Sequence, residues 1–338
     1  MVDESKREFL LGLTELVRAA VLGTLIFKFF KYGINNSLYK NFSNNLNNLQ
    51  YIFWDVPWEP GNETYKLLNP YFQSNFPITE GVIVTFNDNY KHSLDQILYL
   101  YENNKNKKPI YINLFVTIDR DNIPNLSQYD QNIKEFLKYL SNITNSGENI
   151  IIGFSGIDKV PIEKLAYYYS LMKKYLPNLN LFYYVDMRNS KRIVELYNYL
   201  LNNYGIKLNM VGLKLYGTYI YNNGNISMNE YMKSIIMQYK QFADNNNIKF
   251  FIGELGFRNG DLEGYINSGS LGYWNGTSEQ GYRATIKYYE DIINQLHEMG
   301  INIIGIYNWN GYGDPFGLWN NPYVNNLINY MVNNSNSN

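Results

Sequence analysis

The sequence predicts an α/β fold, a (β/α)8 TIM barrel preceded by an N-terminal apolar helix or signal/anchor segment. Eight short apolar runs alternate with helix-like segments from Leu49 onward. The runs are apolar almost throughout rather than at every second residue, which marks strands covered on both faces in a parallel sheet. Eight strand–helix units in about 290 residues match a closed barrel in size. A doubly wound open sheet is the competing arrangement. The first run leads into Asp55-Val-Pro-Trp58, without the glycine fingerprint that such a sheet needs for dinucleotides.

In chain order, residues 1–30 form the first segment. Ser5-Lys6-Arg7 followed by a mostly apolar stretch to Phe30 resembles a twin-arginine export signal with Lys in the first basic place. Glu15 and Arg18 interrupt the stretch, which leaves open an uncleaved anchor or a peripheral amphipathic helix over residues 9–30, with membrane association, and equally open a helix packed against the domain or a disordered arm. Residues 31–48 are Asn-rich and predict a linker, 49–332 the barrel, and 333–338 a disordered tail.

Within the barrel region, strands are expected at Tyr51 to Val56, Gly81 to Phe86, Pro109 to Val116, Asn149 to Phe154, Leu179 to Val185, Asn209 to Leu215, Lys249 to Glu254 and Ile301 to Tyr307. The clearest helices are Gln131 to Leu140, Ile162 to Leu176, Lys191 to Tyr204, Met228 to Asn245 and Glu279 to Met299, where apolar residues recur at three- and four-residue spacing. Ser190 and Ser278 stand where N-caps belong, and Gly205 and Gly300 where helices end.

Composition excludes several chemistries. A net charge of -1 supplies no electrostatic source of affinity for a phosphate backbone, and no Walker-type glycine loop is present, so nucleic acid is not expected as a partner. With no cysteine, thiolate catalysis and Cys-ligated zinc are impossible. Only two histidines occur, His92 and His297, far apart in the chain, so neither a His-based metal site nor a Ser-His-Asp triad is expected. No cofactor is implied. Asn and Tyr are over-used, and Asn-x-Ser/Thr sequons beginning for instance at Asn62, Asn142 and Asn275 suit an exported, glycosylated surface.

Active sites of such barrels lie at the C-terminal ends of the strands. The segment Lys249-Phe-Phe-Ile-Gly-Glu254-Leu-Gly256 delivers one carboxylate to a strand end beside apolar residues, where an unpaired charge is costly. Either Glu254 works chemically, or it is a structural partner of Lys214 or Arg258. All five tryptophans also follow strand ends: Trp54 and Trp58 the first, Trp274 the seventh, Trp309 and Trp319 the eighth. Flat indole faces clustered at one rim suit the C–H faces of pyranose rings. The alternative is that Trp54 and Trp309 fill the barrel. Acids at other strand ends, among them Asp55, Asp158 and Asp186, complete a carboxylate-rich mouth, and glycoside hydrolysis is the reaction that two carboxylates run unaided.

Ile-Gly-Glu254-Leu-Gly256 at the seventh run, Ile-Tyr-Asn-Trp309-Asn at the eighth and Phe316-Gly317-Leu318-Trp319 beyond it resemble the retaining glycoside hydrolases of the cellulase and mannanase type. The resemblance covers about the last third of the chain by motif. It implies Glu254 as nucleophile, Trp309 as sugar platform, Tyr216 as hydrogen-bond partner of Glu254, and an oligo- or polysaccharide as substrate. The family's acid/base Glu at the end of strand four is replaced by Ile157, with Asp158 one residue on, so Asp158 or Asp186 is the expected proton donor. Trp54, Asp55, Trp58, Tyr216, Arg258, Trp274, Trp309 and Trp319 are the expected substrate-binding residues. A non-catalytic glycan-binding or cell-surface barrel is the alternative. An extracellular or cell-surface location is expected.

Overall fold

A computed structural model describes residues 49–55, 76–85, 90–104, 108–115, 126–144, 149–155, 160–216, 219–257, 279–307, 318 and 321–336. All belong to one compact unit, Asn48–Asn338. The elements are β1 (Gln50–Asp55), β2 (Ile78–Thr85), α1 (Tyr90–Glu102), β3 (Ile110–Phe115), α2 (Leu126–Ile143), β4 (Ile150–Ser155), α3 (Ile162–Tyr175), β5 (Asn180–Asp186), α4 (Lys191–Tyr204), β6 (Met210–Leu215), β7 (Ile220–Asn222), β8 (Asn225–Ser227), α5 (Glu230–Asn245), β9 (Lys249–Leu255), α6 (Glu279–Glu298), β10 (Ile303–Tyr307) and α7 (Val324–Asn336).

Eight strands close on themselves in the order β1-β10-β9-β6-β5-β4-β3-β2, and every pairing is parallel. The expected barrel is therefore present, with β9 and β10 as its seventh and eighth strands. Among the described residues no helix is long and apolar enough to cross a membrane, and the expected anchor at 9–30 lies outside them.

Strand alternation divides the apolar residues into two cores. Outward residues such as Tyr51, Phe53, Val82, Ile112, Ile152, Tyr183, Val211 and Ile304 meet the helices in the larger core. Inward residues Ile52, Trp54, Ile83, Tyr111, Phe182, Tyr184, Met210 and Phe251 fill the barrel. The interior is unusually aromatic, with Phe182 stacked on Tyr184 at 5.6 Å and Phe251 edge-on to both. Glycines on neighbouring strands make room for these rings. A Cβ on Gly305 would stand 2.1 Å from the Gly253 carbonyl oxygen and 2.5 Å from Trp54 Nε1.

The helix ends follow local rules in part. Gly205 closes α4 in the left-handed region, its N–H reaching the Leu200 and Leu201 carbonyls, and Gly300, also at positive φ, donates to His297 after α6. Ser190 does not cap α4 through its side chain. Instead Asp186 accepts from the Arg188 N–H and opens a short 3-10 turn, Met187–Asn189, that leads into the helix. The antiparallel hairpin β7–β8 is an insertion after β6 that was not anticipated, although Asn223-Gly224 at its tip is a strong hairpin signal. It is tied to α6: Ile226 N–H donates to Asp291 at 3.0 Å and Met228 N–H to Gln295 at 2.9 Å.

Gly305→Ala is expected to lower the unfolding free energy by ~1–3 kcal/mol or more, because the clash is with backbone and a fixed indole rather than a flexible side chain. Denaturant unfolding measures it, and an unchanged midpoint would mean that the barrel interior yields more readily than its packing implies.

Candidate active site

Glu254 reaches the barrel mouth through an irregularity in its own strand. In β9, Phe251 points inward and Ile252 outward. Regular alternation would send Gly253 in, Glu254 out and Leu255 in. The register shifts here: Ile304 and Ile306 of β10 pair with Ile252 and Leu255, so one residue of β10 between them faces two of β9. The same shift appears against β6, where Leu213 pairs with Ile252 and Lys214 with Glu254. This β-bulge keeps Leu255 in the outer core and puts two consecutive residues on the inner face. Gly253, the first of them, lies under the Tyr184 ring, while its carbonyl accepts the Trp54 indole N–H at 2.6 Å. Glu254 is the second.

The carboxylate is 4% exposed and well partnered. Tyr184 donates its hydroxyl hydrogen to Oε1 at 2.9 Å, and Lys214 Nζ lies 3.1 Å from Oε2. The Lys214 ammonium is also 5.5 Å from the centre of the Tyr184 ring. Behind Tyr184, Asn113 Nδ2 donates to the Tyr184 hydroxyl at 2.7 Å and to Ser155 Oγ at 2.8 Å. Five strands thus contribute to one polar network inside an aromatic barrel. Breaking a buried ion pair by removing one partner commonly costs about 3–5 kcal/mol, so Lys214 and Tyr184 together are what permit a charge here. Burial, and next the Glu254 charge, push the Tyr184 and Tyr216 hydroxyls well above the usual phenol range, so both remain donors.

Asp186 ends β5 on the inner face, paired in register with Lys214. Partial burial alone would raise its carboxyl. That effect is overridden by the Arg188 side-chain and backbone N–H groups, and by the charges of Arg188 and Lys214, which hold it below the usual carboxylate range. The Asp186–Arg188 pair is bidentate, at 2.9 and 3.0 Å. Tyr216, expected beside Glu254, stands over Gly256 and meets the Tyr307 ring edge-on at 6.0 Å.

Two expected substrate contacts are corrected by the fold. Trp54 is fully buried among Tyr111, Phe182 and Tyr184, so its indole is barrel filling and offers no face to a sugar. Asp55 follows Tyr51 and Phe53 on the outward face of β1 and enters the layer beneath α1, away from the mouth. There Gln96 of α1 donates through Nε2 to Asp55 Oδ2 at 3.0 Å and to Glu80 Oε1. Asp158, Trp58, Arg258, Trp274, Trp309 and Trp319 lie outside the described residues.

Lys214, one of the two structural partners that the sequence offers Glu254, is its ion-pair partner. Tyr184, Asn113 and Ser155 belong to no motif in the sequence. Parity within their strands was the available signal, since each lies two residues from another inward position: Phe182, Tyr111 and Gly153 respectively.

The barrel resembles solved carbohydrate-active enzymes. It matches a GH113 β-1,4-mannanase with a TM-score of 0.54 at 10% identity, over 84% of this chain and 98% of that one. A thermostable mutant of a xylanase from Cellvibrio japonicus matches with a TM-score of 0.49 at 11% identity, over 85% and 99%. At such identities the likeness is one of fold. No protein-family profile and no curated protein sequence matches the chain.

Two variants examine these polar groups. Tyr184→Phe removes the hydroxyl that joins Asn113 to Glu254 and is expected to cost about 1–3 kcal/mol of stability, read by denaturant unfolding. The second concerns Glu80, which burial, and next the Asp55 charge, push well above the usual carboxylate range against the smaller opposing effect of Gln96. A proton on Glu80 Oε2 gives a donor for Gln96 Oε1, and both atoms are otherwise without a hydrogen-bond partner. With the folded value raised, the native state holds this proton while the unfolded chain loses it. The stability it confers is complete below the ordinary glutamate range and falls as pH rises toward the folded value, by up to about 1.4 kcal/mol per pH unit. Glu80→Gln mimics the acid form, so the variant should lack this component of the fall as pH rises above the ordinary glutamate range. Parallel stability curves for the two proteins would refute a buried proton.

Proposed function

We propose that this protein is a retaining glycoside hydrolase acting on a β-linked glycan, with Glu254 as its nucleophile. The supporting observation is the β9 bulge, which aims Glu254 into the mouth and holds it between Lys214 and Tyr184. A nucleophilic carboxylate must be held in a fixed orientation, and an ammonium on one oxygen with a phenol on the other does that. In this reading Oε2 or Oε1 forms a bond to the anomeric carbon, the leaving oxygen departs with a proton from the acid, and water completes the cycle with retention.

Asp158 is the preferred proton donor. Asp186 is held anionic by Arg188 and Lys214, the reverse of what an acid needs. Asp158 follows Ser155, whose Oγ belongs to the Glu254 network, and a carboxyl reaching within roughly 5–5.5 Å of Glu254 would satisfy retention. Trp58, Trp274, Trp309 and Trp319 supply stacking faces, and Arg258 a hydroxyl contact. The mannanase whose fold this chain shares makes mannan-like β-1,4 polymers the first substrates to try. Export to the cell surface fits Lys6-Arg7 and the sequons, with residues 9–30 as signal or anchor.

The burial of Glu254 and its ion pair also favour a second reading, a glycan-binding barrel that does not cut. Hydrolysis of β-linked polysaccharides and aryl β-glycosides separates the two. The enzyme reading expects turnover, a bell-shaped pH profile, and a loss of about a hundredfold or more in kcat for Glu254→Gln. Binding without turnover selects the second reading, and turnover that survives Glu254→Gln removes Glu254 from the role.

A further inference from the structure

Lys214 lies on the strand between two strands that each carry an inward carboxylate. Its strand pairs on one side with β5, Asp186 opposite Lys214, and on the other with β9, Glu254 opposite Lys214. All three side chains belong to the inner face at the mouth. The ammonium lies 3.1 Å from Glu254 Oε2, its charge acts on Asp186, and only 13% of its side chain is exposed. A cation so enclosed is sensitive to the charge state of both neighbours.

The retaining reaction changes one of those charges. When a Glu254 oxygen bonds to the anomeric carbon, the bond from that carbon to the leaving oxygen breaks and its electron pair leaves with the oxygen. An aryl leaving group departs as a phenolate, so that the step needs no proton donor. Glu254 passes from anion to neutral ester, and the buried ammonium loses the charge opposite it.

We propose that Lys214 is a positioning residue shared by Glu254 and Asp186, and that Asp186 holds the ammonium while Glu254 is esterified to the sugar. This assignment rests on the hydrolase reading. It gives Asp186 a duty other than proton donation: its charge stays constant through the cycle, secured by the bidentate contact with Arg188. Without Asp186, Lys214 would bind the free carboxylate more exclusively and would be stranded in the covalent intermediate. Attack by Glu254 should slow, and release of the sugar from Glu254 should quicken. A defect of folding or general looseness would slow both.

The test uses activated fluoro-sugar aryl glycosides of glucose, mannose and xylose configuration, which trap the covalent intermediate. Peptide mass spectrometry locates the label, and the rates of trapping and reactivation are followed across pH for wild type, Asp186→Asn, Lys214→Arg and Lys214→Met. Asp186→Asn should trap at least about tenfold more slowly and reactivate faster than wild type, as expected when the intermediate alone is destabilised. Lys214→Met should trap at least about tenfold more slowly than wild type, because the carboxylate has lost the cation that positions it, and Lys214→Arg should restore the rate. If Lys214→Met does not fold, the Asp186→Asn and Lys214→Arg measurements decide alone. Label on Glu254 with trapping and reactivation unchanged in Asp186→Asn, or slowed together, overturns the sharing of Lys214 and leaves the nucleophile in place. Turnover of aryl glycosides with no label on Glu254 overturns both.

Discussion

A charged carboxylate inside a barrel lined with aromatic rings is tolerable only if a cation and a donor are built in with it. Glu254 meets that condition through Lys214 on the strand beside it and Tyr184 one strand further round. Neither partner would reach the acid if β9 ran regularly, because its alternation would turn Glu254 toward the helices, where Leu213, Leu215 and Ile304 wait. One extra residue in the strand changes the face on which the carboxylate sits while Leu255 keeps the outer core sealed. The bulge and the ion pair are therefore a single device: the first aims the charge, and the second makes its position affordable.

The rest of the interior serves this arrangement. Trp54 fills the space under the mouth and fastens its indole N–H to the carbonyl of Gly253, the residue that begins the bulge. Gly305 on the adjoining strand leaves the gap through which that bond passes. Asn113 and Ser155, on the two strands that follow β5 round the barrel, hold the Tyr184 hydroxyl from the side away from Lys214, so its hydrogen is committed to Glu254. An aromatic floor with one polar chain through it gives low dielectric on all sides and few alternative hydrogen-bond patterns.

The architecture was legible in the sequence because it depends on local patterns. Apolar runs such as Asn209 to Leu215 and amphipathic segments such as Lys191 to Tyr204 announce strands and helices by periodicity, and eight such runs alternating with helical segments in this length leave few folds. Glu254 was legible for a different reason, a lone acid in an apolar strand. A position near a strand's end does not by itself put a residue in the mouth: Trp54 has the inward parity but lies deep enough to be covered by the barrel's own rings, as the barrel-filling alternative has it, and Asp55 has the wrong parity. Asp55 shares its parity with Tyr51 and Phe53 and so turns outward. Parity also fails at a bulge, which is why the inward turn of Glu254 could be guessed from chemistry but not from counting along β9. The partnership of Tyr184 and Asn113 is a matter of distant strands meeting, and no spacing in the chain encodes it.

The bond between Trp54 and Gly253 joins residues 199 apart in the chain. During synthesis the first strand leaves the ribosome long before its acceptor exists, and the closing pair β1–β10 can form only when the final strand has emerged. Earlier hairpins of strand and helix can assemble in passing, but the ring, its aromatic filling and the seat for Glu254 arrive together at the end. A nascent chain that stalls before β9 thus holds an uncapped curl of sheet with exposed edges, and the enclosed setting of the Glu254 carboxylate is withheld until β10 has been translated.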